Sequence, residues 1–359
     1  MLHKQQGPRN NMSKQITFNN PPSNAIVGCA STELTDEEKV LFNKMRPLGL
    51  ILFARNITDP KQVTSLVEEF KLVTDNQYAL ILIDQEGGRV SRLPAPHWRR
   101  PPSPTEFAKL YKHSPEAAIR ACEINYQLIG ADLKRVGINV DCAPMLDIPQ
   151  ADASTVVTDR ALGNTPESVI ALAQATINGL QLSGVEPVIK HGPGHGRGTT
   201  DSHKALPIVD ADIDSLATWD FLPFEHFNNE SMLMTAHILY TAIDADFPAT
   251  LSSKVLNDVI RKHIGFDGLI MTDDIDMHAL TGTSAEKAEL ALNAGCDVIL
   301  QCSGNIDDLF SLATAVQPLN GKALKRAEIA ASKAASHKNE IDDDALLNEL
   351  SVLLSKSDN

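Results

Sequence analysis

Along the 359-residue chain, short runs of aliphatic and β-branched residues alternate with longer segments whose apolar positions recur three and four residues apart. The short runs read as strands and the longer ones as amphipathic helices, because side chains alternate faces along a strand and return to one face about every 3.6 residues on a helix. Eight strands are predicted, over residues 25–30, 48–53, 79–83, 138–143, 187–190, 232–236, 269–271 and 297–301. Most are nearly unbroken hydrophobic runs, as expected of strands covered on both faces. Helices are predicted over 60–74, 115–136, 166–183, 252–263 and 284–294. Thr165-Pro166-Glu167 and Ser114-Pro115-Glu116 place a cap residue before proline at the first helical position, and Gly137, Gly184 and Gly295 follow last turns.

This βα alternation fits a parallel sheet, either a single (β/α)8 TIM-type barrel or a doubly wound sheet with fewer pairs. The polar residues favour the barrel. Asp84 to Arg92 follow the third strand, Asp141 and Asp147 end the fourth, Lys190 to His203 follow the fifth, His237 ends the sixth, and Asp273 and Asp274 end the seventh. Residues from so many carboxyl ends converge only if the sheet closes. The expected organisation is a polar N-terminal extension over 1–23, partly disordered, a catalytic barrel over 24–319, and C-terminal helices over 320–359 packed outside it. Met12 offers an alternative start to Met1.

With 43% apolar residues the chain can fill a large core, and its net charge of −14 opposes binding to phosphate backbones or anionic lipid. Neither nucleic acid nor membrane is expected as a partner. The five cysteines are scattered and lack C-x-x-C spacing, which indicates neither a disulfide framework nor a zinc knuckle. No secretory or membrane-length apolar run is present, so a cytoplasmic location is expected.

Three segments carry chemistry. The first is Lys190-His191-Gly192-Pro193-Gly194-His195-Gly196-Arg197-Gly198, leading to Thr200-Asp201-Ser202-His203. Its glycines and proline predict a mobile, non-helical loop, and three histidines with several charges exceed what a connector needs. A plain polar connector remains open, as does a metal site. His191, His195, Asp201 and His203 are acceptable ligands, though without the i, i+4 spacing of a helical zinc pair. A phosphate cradle would require a G-x-x-x-x-G-K-[ST] run, which is absent.

The second segment is Met271-Thr272-Asp273-Asp274, a strand running into two acids, of which alternation lets only one face the barrel mouth while the other braces the loop. A solvated strand end or a helix cap would look similar. The third, Asp84-Gln85-Glu86-Gly87-Gly88-Arg89-Val90 with Arg92 beyond, supplies acceptors and forked donors suited to vicinal hydroxyls, or equally an internal Asp–Arg pair within a turn.

Taken together these segments resemble family 3 glycoside hydrolases, in particular the single-domain bacterial β-N-acetylglucosaminidases of peptidoglycan recycling (NagZ type). The K-H-x-P-G-H-G loop ending in D-S-H, the D-Q-E-G-G-R-V turn and the D-D strand end stand in the family's order, with Ala143-Pro144, Asp159-Arg160 and Pro248-Ala249-Thr250-Leu251-Ser252 between them. The resemblance implies a retaining exo-glycosidase in which Asp273 attacks the anomeric carbon, His203 is the acid/base and Asp201 tunes it. It further implies that Asp84, Arg92, Arg160, Lys190 and His191 hold the sugar. Gly192 and Ala161-Leu162-Gly163 depart from the family's usual aromatic residue and Ser-Phe-Gly, near the expected sugar site.

A histidine acid with an unperturbed pKa near about 6.5 needs little tuning to serve at neutral pH. Its place on a glycine-rich loop implies gating by sugar binding. The expected partner is a small sugar or muropeptide, with no cofactor, no metal and a monomeric chain. Three other readings stay open: a β-N-acetylglucosaminide phosphorylase, a non-catalytic sugar-binding barrel, and a metal-dependent hydrolase.

Overall fold

In the computed structural model, which describes residues 15–150, 155–198, 200, 205–335 and 341–355, the apolar runs form a ring of parallel strands. In chain order the strands are β1 (Ser23–Val27), β2 (Pro47–Leu52), β3 (Leu80–Ile83), β4 (Val140–Asp141), β5 (Glu186–Pro187), β6 (Ile189–Gly192), β7 (Ile208–Val209), β8 (Met232–Thr235), β9 (Leu239–Tyr240), β10 (Leu269–Met271) and β11 (Ile299–Gln301). One sheet runs β11-β1-β2-β3-β4-β5 and another β10-β8-β6, while β7 and β9 pair separately. Parallel bridges Met145–Lys190 and Met271–Val298 join the two larger sheets at both seams. Since β5 runs on into β6 after a single residue, the ring has eight staves, the architecture read from the sequence.

Burial on both faces explains the unbroken hydrophobic runs. On β3, Leu80 and Leu82 point into the barrel with Met232 and Met234 of β8 and Leu269 and Met271 of β10. Ile81, Ile83, Leu233 and Ile270 point outward into the layer beneath the helices. The helices Pro60–Val73, Pro115–Arg135, Pro166–Leu182, Lys254–His263 and Ser284–Ala294 fall within two residues of their predicted bounds. Asp59 caps its helix by accepting from the Lys61 and Gln62 amides, and Thr165 does so from Ser168. Ser114, expected to cap in the same way, makes no side-chain capping bond.

Two further helices lie outside the ring, Gly321–Ala334 and Asp343–Leu354. The first crosses the amino-terminal opening of the barrel. Its Ala327, Ala330, Ala331 and Ala334 share one cluster with the inward strand residues, and Lys333 Nζ lies 3.6 Å from Glu186 at the start of β5. Ile16 and Phe18, in the segment read as an N-terminal extension, are buried in the same cluster. Their amides donate to Ser332 and Glu328 of that helix, at 2.8 and 3.0 Å. The second helix packs on Pro115–Arg135, where Arg120 Nε meets Glu349 at 2.8 Å. Among the described residues no helix is long and apolar enough to cross a membrane.

Candidate active site

A cavity of about 320 Å³ opens at the carboxyl ends of the strands. It brings together Asp84, just past β3, Lys190 and His191 of β6, Asp273, just past β10, and Arg92 and Arg160 from two βα loops. Phe53 and Met277 add apolar wall. These are six of the eight residues that the sequence singled out. The other two, Asp201 and His203, lie outside the described residues.

One side of the cavity is a chain of buried charges. Lys190, 1% exposed, places Nζ 2.8 Å from Asp84 Oδ1 and 2.7 Å from Glu86 Oε1. Arg160 grips the same Glu86 with two bonds, Nε to Oε2 at 2.8 Å and Nη2 to Oε1 at 2.5 Å, a forked geometry only guanidinium offers. Arg92 reaches Asp84 at 3.4 Å. Burial pushes both carboxyls toward the neutral form, yet the cations outweigh it: Arg160 and Lys190 hold Glu86 well below the carboxylate range, and Lys190 and Arg92 hold Asp84 low. The same carboxylates keep Lys190 protonated despite its burial. The turn itself is fixed by Gln85, whose side-chain oxygen accepts from the Arg92 amide at 2.7 Å.

Opposite stand the two acids after β10, and both border the cavity, contrary to the expectation that alternation would let only one face it, although their bonds differ. Asp274 Oδ1 accepts from the amides of Cys302 and Asp276, at 3.0 and 3.1 Å, and so braces the loop. Burial raises its pKa to about 6. Asp273 accepts from the Asp274 amide at 2.8 Å. Burial alone would raise the pKa of Asp273, but His191, the bond from the Asp274 amide and Lys190 overcome this and keep it below the ordinary value, so the group is an anion at neutral pH.

The first part of the glycine-rich segment is more enclosed than a mobile loop would be. Residues 192–196 and 198 are buried and bonded, while 199 and 201–204, where the expected mobility of His203 falls, lie outside the described residues. Asp147, fully buried, accepts from the His195 amide at 2.6 Å and bonds His191 Nδ1 at 2.7 Å, while Arg197 pairs with Asp220 at 2.7 Å. The glycines serve close approach: a Cβ at Gly196 would stand 2.0 Å from the Ile148 carbonyl oxygen, and one at Gly198 2.8 Å from the His195 ring. Gly192 is likewise turned from the cavity, since its Cβ would meet Leu233 in the outer layer at 2.8 Å. Ala161 and Leu162 are buried and do not line the cavity. Neither departure from the family pattern therefore touches the cavity wall.

Sequence reasoning did not include Glu86, Asp147 or His237 among the site residues. Glu86 lies two residues from Asp84, and Asp147 and His237 were read at the ends of the fourth and sixth strands, but strand-end position alone does not tell which of these polar side chains reach the site. Asp141 is a related case. Its Oδ1 accepts from the Gln85 amide at 2.9 Å, its Oδ2 has no partner among the described residues, and burial raises its pKa from 3.8 to about 8. A raised carboxyl pKa stabilises the fold fully below the unfolded value, and that contribution is lost as pH rises toward the folded value. Asp141→Asn is therefore expected to gain stability relative to the parent progressively between about pH 4 and pH 8, by up to about 1.4 kcal/mol per unit. Urea unfolding of both proteins across that range checks it. The comparison separates Asp141 from His195 and His237, whose burial lowers their pKa and gives the opposite slope. Among the described residues no group of three or more His, Cys, Asp or Glu side chains is placed to hold a metal ion.

The chain is similar to known proteins. The model of the glycosyl hydrolase family 3 N terminal domain matches residues 25–335. A beta-hexosaminidase of Methylococcus capsulatus is 36% identical over 303 residues, covering 83% of this chain and 87% of that one. NagZ from Neisseria gonorrhoeae, in complex with N-trifluoroacetyl-D-glucosamine, superposes with a TM-score of 0.81 at 28% identity over 94% of this chain and 98% of its own. A glycoside hydrolase family 3 beta-N-acetylglucosaminidase from Paenibacillus sp. gives 0.81 at 29% identity, over 93% of this chain and 67% of its own. A barrel whose third, fifth and seventh staves deliver an anionic aspartate and a buried cation–carboxylate chain to one cavity, matched over nearly its whole length, places this chain in glycosyl hydrolase family 3.

Proposed function

We propose that the chain is a retaining exo-β-N-acetylglucosaminidase that releases terminal β-linked GlcNAc from peptidoglycan fragments, GlcNAc-1,6-anhydro-MurNAc and its peptides, in the cytoplasm. The observation that carries this reading is Asp273, an ionised carboxylate facing a cavity of about 320 Å³ whose opposite wall is a fixed set of donors and acceptors. That volume is at the lower end for ligand pockets and suits one sugar ring. The names of the relatives, beta-hexosaminidase and beta-N-acetylglucosaminidase, point to the same substrate class. The five cysteines, all free and buried, agree with a reducing compartment.

In this mechanism a carboxylate oxygen of Asp273 bonds to C1 as the C1–O bond to the leaving group breaks, through an oxocarbenium-like transition state. His203 gives its proton to the departing oxygen, with Asp201 accepting from its other ring nitrogen and favouring the charged form. Water then attacks C1, His203 takes its proton, and Asp273 leaves with retention of the β configuration. Asp84 accepts from sugar hydroxyls while Lys190 and Arg92 donate to them. Because these charges are already paired within the protein, they need little reorganisation as the ring flattens.

Two measurements test the reading. A fluorinated GlcNAc analogue should leave one sugar on the enzyme, and peptide sequencing should find it on Asp273; a label elsewhere, or none, overturns the assignment. His203→Ala should lose about 10²- to 10⁴-fold on a sugar leaving group and far less on an activated aryl one, which departs without a proton. Equal losses on both substrates exclude His203 as the acid.

A further inference from the structure

Beside Asp273, three loops meet on one imidazole. His237 follows β8, Thr250 sits in the turn Ala249–Leu251, and Asp274 follows β10. His237, Thr250 and Thr235 are fully buried. His237 Nε2 is 2.9 Å from the backbone carbonyl oxygen of Asp274, and Nδ1 is 2.7 Å from Thr250 Oγ1. A carbonyl accepts and never donates, so Nε2 carries a proton.

Nδ1 has two possible states. Either the Thr250 hydroxyl donates to it and the ring is neutral, or that hydroxyl turns to the Ala236 carbonyl, 3.0 Å away, and the ring is an imidazolium. Burial, His191 and Lys287 all oppose the second charge, and Asp273 favours it; burial is the largest of these, and the ring is neutral. Thr235 Oγ1, 2.8 Å from Thr250 Oγ1, then donates into Thr250 and completes a one-way chain.

The peptide at the end of the chain is the one that orients the nucleophile. The amide of Asp274 donates to Asp273 Oδ1 at 2.8 Å, while its carbonyl is held by His237. Fixing both polar groups of Asp274 fixes which carboxylate oxygen of Asp273 is engaged and leaves the other for the anomeric carbon. We propose that His237 is a positioning residue for the reaction, a neutral imidazole set by Thr250 so that its Nε2–H holds the Asp274 carbonyl and aims Asp273. This rests on the reading of Asp273 as nucleophile.

With an aryl GlcNAc substrate, His237→Leu should lower kcat about 10- to 100-fold and leave KM within about threefold, as expected of a slightly misaimed nucleophile. His237→Gln should recover most of the loss, because its amide N–H can reach the same carbonyl. Thr250→Val should fall between them and gain a kcat limb near the pKa of an unrestrained imidazole, whereas Thr250→Ser should behave as the parent. Nitrogen-15 spectra of the parent should show a neutral His237 protonated at Nε2 from pH 6 to 9. A Gln variant no better than Leu, or a ring protonated at Nδ1, overturns the proposal. Thermal unfolding of each variant separates misfolding from mispositioning. Should the parent not cleave the substrate at all, the functional reading fails, and the nitrogen spectra with Asp274 amide exchange in the Gln and Leu variants still decide the hydrogen-bond chain.

Discussion

Asp273→Gly is expected to lose about 10⁴-fold or more of kcat on an aryl GlcNAc while still binding the sugar, since the wall formed by Asp84, Arg92 and Lys190 is untouched. Because the folded protein holds this carboxyl below its ordinary pKa, the ionised group stabilises the fold at neutral pH, and the variant should lose some thermal stability while remaining folded. Azide should then restore turnover by entering the vacated space, and because it attacks from the face opposite the leaving group its product is the α-glycosyl azide. That inversion is the decisive readout. Restored turnover with a β product, or a loss of less than about tenfold, would show that Asp273 is not the group that attacks.

Lys190→Met is expected to be the most destabilising change in the site. It leaves two carboxylates, Asp84 and Glu86, in a pocket where the ammonium lay within 2.8 Å of both. Removing one partner of a buried ion network costs about 3–5 kcal/mol, because the desolvated charge left behind has lost its compensation. Arg160 still grips Glu86, which places the cost toward the lower part of that range. The pH dependence follows from the depressed carboxyls. Their stabilising effect is present above the unfolded carboxyl pKa and is lost as pH falls through the lower folded values. The gap between parent and variant, measured by urea unfolding, should therefore be widest near neutrality and narrow below about pH 4. A gap that stays constant down to pH 3 would mean that Lys190 acts by packing alone.

The eight staves were legible because strands buried on both faces leave a continuous apolar signature, as Leu80–Ile83 does. Their ends were less so. The fourth run was read as residues 138–143, yet only Val140–Asp141 joins the ladder as a named strand. Asn139 still pairs through its backbone, its amide donating to the Ile81 carbonyl at 3.1 Å and its carbonyl accepting from the Glu186 amide at 2.9 Å. Its side chain adds two more bonds, accepting from the Ile81 amide at 2.8 Å and donating to the Ala79 carbonyl at 3.1 Å, and no periodicity reveals where such a side chain ends the regular pattern.

The site divides in the same way. Asp84, Lys190, His191 and Asp273 stand where apolar strands end and Arg92 just beyond the turn after the third, where charges are conspicuous, whereas Arg160 was implied only by the family resemblance; all six line the cavity. Within Asp84-Gln85-Glu86, however, spelling cannot tell which acid is sealed from water, and Glu86 was passed over although it anchors both Lys190 and Arg160. The glycines of 192–198 suggested motion for a similar reason. What they relieve is contact with Ile148, Leu233 and His195, and two of these neighbours, Ile148 and Leu233, are distant in sequence.

The alanine-faced helix Gly321–Ala334 lays a floor under the barrel, with Ile16 and Phe18 wedged against it. Above that floor the interior is filled by Leu80, Leu82, Met232, Met234, Leu269 and Met271, so the barrel is plugged and the cavity is reached from the carboxyl ends of the strands. Under the proposed function, a sugar would come to Asp273 from that one face, an approach that suits the end of a glycan better than its middle.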